Sequence, residues 1–291
     1  MSNPLDTRSA PLLPWIGFGL MGLLFVWLWL DYRSFWLDDA FISFRYALNL
    51  AQGLGPVYNP GEWVEGYTTP LWMGLTAIPL ASFPAEQGAL AIIKLWGLAL
   101  GIWTLFRCFT FPRPGGQPAR RWLMILLASN ATFVANCGDG METPLFMALA
   151  VEWARASARV PTAGSGVAVG LLTAALVWTR PEAMPLLVLL PALLWVAHRF
   201  EPGGESTEPR ARPALRAWMR SFALAGPLPV AAHVAWRWHY YGLPLPNSYY
   251  AKAGGALLPR AARVIVGRAV AARRGHGRSI PAATRLSRGR C

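Results

Sequence analysis

Cysteine is nearly absent from this chain. Cys108, Cys137 and Cys291 are the three in 291 residues, too few and too scattered for a disulfide scaffold, and no CxxC or Cys/His cluster suggests zinc. Histidine is equally sparse: the four residues form neither HExxH nor a triad neighbour. Gly164, Gly166 and Gly170 do not make GxGxxG, and no strand precedes them, which excludes a phosphate-cradling loop there. Charge is scarce too, at 14% of residues where a soluble domain carries about 25%. Acid is missing altogether beyond Glu208. A formal charge of +13 would suit a nucleic-acid partner, but nine arginines lie between Arg260 and Arg290, and removing those nine leaves +4. What is plentiful is apolar side chain: 54% of the chain is hydrophobic, with 15 Trp. These proportions describe a membrane protein that binds no nucleic acid.

A spanning helix needs about 20 mostly apolar residues. Leu12–Leu30 meets that without a charge and has no small-residue cleavage site after it, so it reads as an anchor and not a signal peptide. Six further spans are expected at Gly88–Phe106, Trp122–Ala135, Pro144–Trp153, Val167–Val177, Pro185–Val196 and Ser221–Trp236, several of which need their flanks to cross. Pro70–Ser82 is too short, at about 20 Å as a helix, and is punctuated by Pro70, Pro79 and Pro84. It is expected to lie in the membrane interface or dip into it. Treating it as non-crossing puts Arg107, Arg113, Arg120, Arg121, Arg155, Arg159, Arg199, Arg210, Arg212, Arg216 and Arg220 on the cytoplasmic side. Asp31, Asp38, Asp39, Glu62, Glu65, Glu86, Asp139, Glu142 and Glu182 then face outward. The expected fold is therefore an all-α polytopic transmembrane bundle of about seven spans, over residues 1–253.

The first outer loop, about 31–87, is too long for a mere connector. Asp38-Asp39 opens a helical pattern with Phe41, Phe44 and Leu48 on one stripe and Gly53 as the stop, predicting an amphipathic helix on the outer surface. Shorter outer loops follow at Asn136–Thr143 and at Thr179-Arg180-Pro181-Glu182, and a last one begins at Arg237. Residues 201–213 read as a flexible loop. Residues 254–291 change character to Arg, Ala and Gly and oppose the charge rule where they lie. They are expected to be a basic tail that is either disordered or foreign to the fold, as a segment read in a shifted frame would be.

The outer loops gather the candidate chemistry. Asp38 and Asp39 suit a general base or one arm of a metal site, although Asp39 would equally N-cap a helix beginning at Ala40. Asp139 and Glu142 in the second loop, and Glu62 and Glu65 in the first, converge on the same side. Lys94 lies two turns inside its span and either snorkels or meets a phosphate. Arg180 pairs with Glu182 or with a ligand, and Lys252 anchors at the interface or binds the donor. The sequon at Asn130 falls inside an expected span.

The blocks DDAFISFRYALNLAQGLGPVYNPGEWVEGYTTPLW (Asp38–Trp72), GMETPLF (Gly140–Phe146), TRPEA (Thr179–Ala183) and YYGLPLPNSYYAK (Tyr240–Lys252) together resemble bacterial GT-C glycosyltransferases related to the mycobacterial terminal arabinofuranosyltransferase. The resemblance covers residues 12–253. It implies a multi-helix membrane enzyme that takes sugar from a polyprenyl-phosphate donor to a glycan or lipid acceptor on the outer face of the cytoplasmic membrane. It further implies catalytic acids at Asp38, Asp39 and Glu142. A lipid-phosphate leaving group needs cations to hold it, for which Lys94, Arg180 and Lys252 are the candidates, and Glu65 and Tyr67 join them as expected donor-binding residues. A divalent cation stays open, and no metal ligands are assigned. Family members usually continue into more helices and an extracytoplasmic domain. A transporter and an inactive membrane remnant are the rival readings.

Overall fold

The computed structural model describes residues 12–83, 86–111, 125–199 and 211–252. Of these residues 77% are helical and none lies in a strand, so the all-α expectation holds. The helices are α1 (Leu12–Tyr32), α2 (Asp38–Ala51), α3 (Pro70–Ser82), α4 (Glu86–Phe109), α5 (Ala131–Asn136), α6 (Thr143–Ser157), α7 (Ala163–Thr179), α8 (Leu186–Arg199), α9 (Ala211–Ala225), α10 (Pro227–Tyr241) and α11 (Asn247–Lys252). Among the described residues α1 and α4, with 21 and 24 residues, are long and apolar enough by themselves to cross a membrane. The basic segment 254–291 and most of the 201–213 loop lie outside the described residues.

α1 and α4 run antiparallel. Trp15 and Phe18 at the start of α1 meet Phe109 at the end of α4, both with ring centroids 5.1 Å apart. At the other end Trp29 Nε1 donates to Cys137 O at 3.0 Å. Phe25, fully buried between them, faces Phe133 at 5.4 Å, a burial of the kind that contributes about 1.5–3 kcal/mol. Gly97 and Gly101 of α4 permit this approach, because a side chain at either would run into the Cys137 backbone or into Phe25.

A second close packing joins α7 to α9. A Cβ on Gly166 would lie 2.5 Å from Trp218 O, and one on Gly170 would lie 2.9 Å from Phe222 O. The glycines that fail as a phosphate loop thus form a small-xxx-small helix contact. Trp218 and Phe222 stack at 5.0 Å and are buried against it, while Arg216 and Arg220 of the same helix are exposed.

Two expected spans are interrupted. Trp122–Ala135 breaks at Asn130, whose Oδ1 accepts from Phe133 N at 2.8 Å and starts the six-residue α5. Asn130 is thus an N-cap. Ser221–Trp236 breaks at Gly226, where α9 stops and Pro227 opens α10. Gly226 lies against the Gly170 backbone, where a Cβ would come within 3.1 Å of Gly170 O and be tightly crowded.

α3 has the bounds read from its sequence, and one face of it is closed over by other helices. Trp72, Met73, Thr76, Ala77, Pro79 and Leu80 are buried, and the helix packs among α2, α4 and α7. α2 begins at Asp38 with Leu37 as its N-cap, so Asp39 does not cap a helix at Ala40. Of its expected stripe Phe44 is buried and Phe41 exposed. The buried face is instead Ala40, Ser43, Phe44, Tyr46, Ala47 and Asn49. Gly53 ends the segment with φ +76°, the left-handed region a glycine tolerates.

Candidate functional site

The antiparallel pairing of α1 with α4 brings residues 33–37 and 136–142 to one end of the bundle, and Lys94 joins them. Its Nζ donates to the carbonyls of Phe35 and Gly138 and lies 3.9 Å from the centre of the Trp36 ring. The residue is 6% exposed. It does not snorkel, and its donors are directed at backbone carbonyls and not outward to a ligand. A cation among carbonyl oxygens and an aromatic face is well compensated for its lost hydration.

That staple sets the position of the twin aspartates. Leu37 N, directly before Asp38, donates to Asp139 O at 3.1 Å, and Trp72 Nε1 donates to Gly140 O at 3.1 Å. Asp38 and Asp39 stand exposed in the first turn of α2, where the helix dipole favours negative charge. Asp139 is buried, its Oδ1 accepting from Met141 N at 2.8 Å. Burial pushes its carboxyl above the ordinary range, and the neighbouring Glu142 adds to the rise.

Glu142 starts α6 and is 3% exposed. Its partner is Arg180, which leaves α7 as the C-cap. Arg180 Nε donates to Glu142 Oε1 at 2.8 Å, and Nη2 donates to Thr143 Oγ1 at 3.3 Å. Glu142 Oε2 is buried without a partner. Arg180 keeps a side chain 37% exposed, and the buried carboxylate holds its Nε. Glu182, the alternative partner, is exposed.

A second charged pair lies at the same end. Glu65, 2% exposed, meets Arg237 of α10, 6% exposed. Arg237 Nε donates to Glu65 Oε2 at 2.9 Å, and Nη2 approaches that same oxygen at 2.9 Å. Because both nitrogens converge on one oxygen, Oε1 has no partner. Burial pushes the Glu65 carboxyl up to about 7, with Arg237 opposing the rise. Two residues on, Tyr67 is part of the core: its hydroxyl lies 3.2 Å from that of Tyr241, which donates to Pro56 O at 2.6 Å. Burial raises the Tyr67 phenol above its usual range. Arg237 escaped the sequence reading, and a lone cation inside WRWHYY was the signal available. Lys252 belongs to α11, and its side chain lies outside the described residues.

Asp38, Asp39, Asp139, Glu142, Lys94, Arg180, Glu65 and Arg237 thus share one end of the bundle. Arg107 and Arg155 lie at the other, where Arg107 pairs with Glu152 and Arg155 Nη1 donates to Arg107 O at 3.2 Å. Among the described residues no group of three His, Cys, Asp or Glu could hold a metal ion. No family model, curated protein or solved structure matches the chain.

Proposed function

We propose that the chain is a membrane glycosyltransferase of GT-C type, transferring a sugar with inversion from a polyprenyl-phosphate donor to a glycan or lipid acceptor on the extracytoplasmic side of the cytoplasmic membrane. One observation carries the reading. Two exposed carboxylates, Asp38 and Asp39, are tied through the Leu37–Asp139 backbone bond to a loop whose next acid, Glu142, braces a half-exposed arginine. The motif blocks that resemble such enzymes contribute these same residues.

In this reading Asp38 or Asp39 takes the proton of an acceptor hydroxyl. The freed oxygen bonds to the anomeric carbon while the carbon–oxygen bond to phosphate breaks. The electron pair leaves on the lipid phosphate, which is a stable anion and needs no general acid. Arg180 holds that phosphate, and Glu142 keeps Arg180 oriented. Lys94 acts as a positioning residue through the two carbonyls it binds. α1 leaves Leu12, Leu13, Ile16, Leu20, Leu23 and Trp27 exposed, and in this reading hydrocarbon covers them. α9 and α10 together make one crossing, kinked at Gly226, within a bundle of about seven.

The test is the paired change Asp38→Asn with Asp39→Asn, assayed for sugar transfer from a radiolabelled polyprenyl-phosphate sugar in membranes. Transfer should vanish while the protein stays membrane-integrated. Transfer at the wild-type rate would reject the assignment of these carboxylates.

A further inference from the structure

Three contacts fix the depth of Asn130 in the bundle. Ile125 lines one cavity with Phe18 and Met21, Phe133 meets Phe25 at 5.4 Å, and Cys137 O accepts from Trp29 Nε1 at 3.0 Å. Residues 125–137 therefore climb parallel to α1. Asn130 comes level with Gly22, the middle of the 21-residue α1. In a bilayer crossed by α1, that level is the centre of the hydrocarbon.

The segment is broken and polar at this depth, and it is not covered. Asn130 takes φ −75° and ψ 111°, which interrupts the helical hydrogen-bond ladder. Ser129, Asn130, Ala131 and Thr132 are all exposed. Hydrocarbon satisfies none of these groups, and non-helical backbone at membrane depth persists only against protein or beside water. Two observations favour protein. The polar patch is one turn tall and is bordered below by exposed Ile125 and Leu126, whereas a water path would stay polar along its length. The patch also holds both halves of a hydrogen bond. Asn130 Oδ1 is occupied by Phe133 N, while Nδ2 has no partner among the described residues and is a free donor. Ser129 Oγ already donates to Ile125 O at 2.6 Å, so toward anything outside it can only accept. The hydroxyl of Thr132 adds a second acceptor. A surface that carries donor and acceptor side by side is complementary to itself, the condition for a contact between identical subunits about a twofold axis.

We propose that this break is the contact between two copies of the chain within the membrane. The two 125–132 segments face each other, and Asn130 of each copy donates to Ser129 or Thr132 of the other, in the way such side chains join membrane helices. The inference rests on the membrane-spanning part of the glycosyltransferase reading and is independent of the chemistry assigned to the outer acids.

The experiment reconstitutes the purified full chain in liposomes at high lipid excess and counts subunits by single-molecule photobleaching. Benzoylphenylalanine placed at Leu126 reports the neighbour, with Leu189 of α8, equally open, as the control position. The wild type should bleach in two steps, and the Leu126 probe should give a crosslinked dimer that the Leu189 probe does not. Asn130→Ser combined with Thr132→Val keeps a residue able to cap α5 but withdraws the amide donor and one hydroxyl. It should lower the dimer fraction at least tenfold, with the melting temperature of the detergent-solubilised monomer unchanged. Single-step bleaching of a wild type that resists carbonate extraction would overturn the contact alone. Crosslinks from Leu126 confined to its own chain would do the same, by assigning the cover to another part of the polypeptide. So would labelling of Thr132→Cys in intact liposomes by a membrane-impermeant maleimide beyond that of the wild type, which would assign the break to water. A dimer undiminished in the double variant would also overturn it. Release of the wild type by carbonate would overturn the membrane reading and the contact together.

Discussion

Replacing Arg237 by methionine would leave Glu65 buried without the cation that now meets it at 2.9 Å. Removing one member of a buried ion pair costs about 3–5 kcal/mol when the other stays charged. Glu65 has an escape, because burial already holds its carboxyl near 7. Its pKa in the folded chain is raised above the ordinary 4.5, so the folded state binds the proton more tightly than the unfolded one. The stability from this group is therefore fully present below pH 4.5 and is lost as pH rises through about 7. Across that interval the wild type should lose roughly 3 kcal/mol, at about 1.4 kcal/mol per pH unit, and then level off.

In Arg237→Met nothing opposes the effect of burial, and the carboxyl titrates higher still. The variant should nearly match the wild type at pH 5, where the acid is neutral in both. It should keep losing stability above pH 7, where the wild-type curve is flat. Adding Glu65→Gln should flatten the profile of both. The assay is thermal unfolding of the detergent-solubilised chain between pH 5 and 9, followed by tryptophan fluorescence. Parallel profiles for wild type and Arg237→Met, or a profile unchanged by Glu65→Gln, would refute the reasoning.

Lys94→Met should leave the Phe35 and Gly138 carbonyls without their donor, at about 1–3 kcal/mol for each buried group. Sugar transfer should fall at least tenfold with the protein still membrane-integrated, and Lys94→Arg should restore part of it; unchanged melting and transfer would show that the staple does nothing. Gly170→Val should lower thermal stability by about 1–3 kcal/mol through overpacking against Phe222 and Ala225, whereas the same change at Gly164, where an added Cβ would meet Thr162 Oγ1 at an ordinary 3.9 Å, should cost much less. Equal melting temperatures for the two valine variants would count against the tight α7–α9 contact.

The helical class and most helix positions were legible because apolar runs and capping chemistry are local properties. Pro70 and Ser82 bound α3 as read, and Gly53 ends the α2 segment. The two breaks were not legible, because a hydropathy run averages over one asparagine or one glycine. Asn130 looked like a sequon in an apolar stretch, and it is a cap. Gly226 falls inside the expected Ser221–Trp236 span, and it is where α9 ends against the Gly170 backbone. The length of α3 marks it as too short to cross by itself, but length says nothing about which helices close over it.

The candidate site divides in the same way. Loop position placed Asp38, Asp39, Asp139 and Glu142 together, since acids that follow alternate spans return to one side. Their partners depend on distances between residues far apart in the chain. Glu65 and Arg237 are 172 positions apart, Glu142 and Arg180 38, and Lys94 and Gly138 44. Composition and local pattern determined that this chain is helical, rich in apolar surface and acidic at one set of loops. Only the packing decided that Lys94 is spent on carbonyls, that Tyr67 is core, and that Arg237 is the cation of Glu65. Those outcomes are set by which backbones approach closely enough to exclude water.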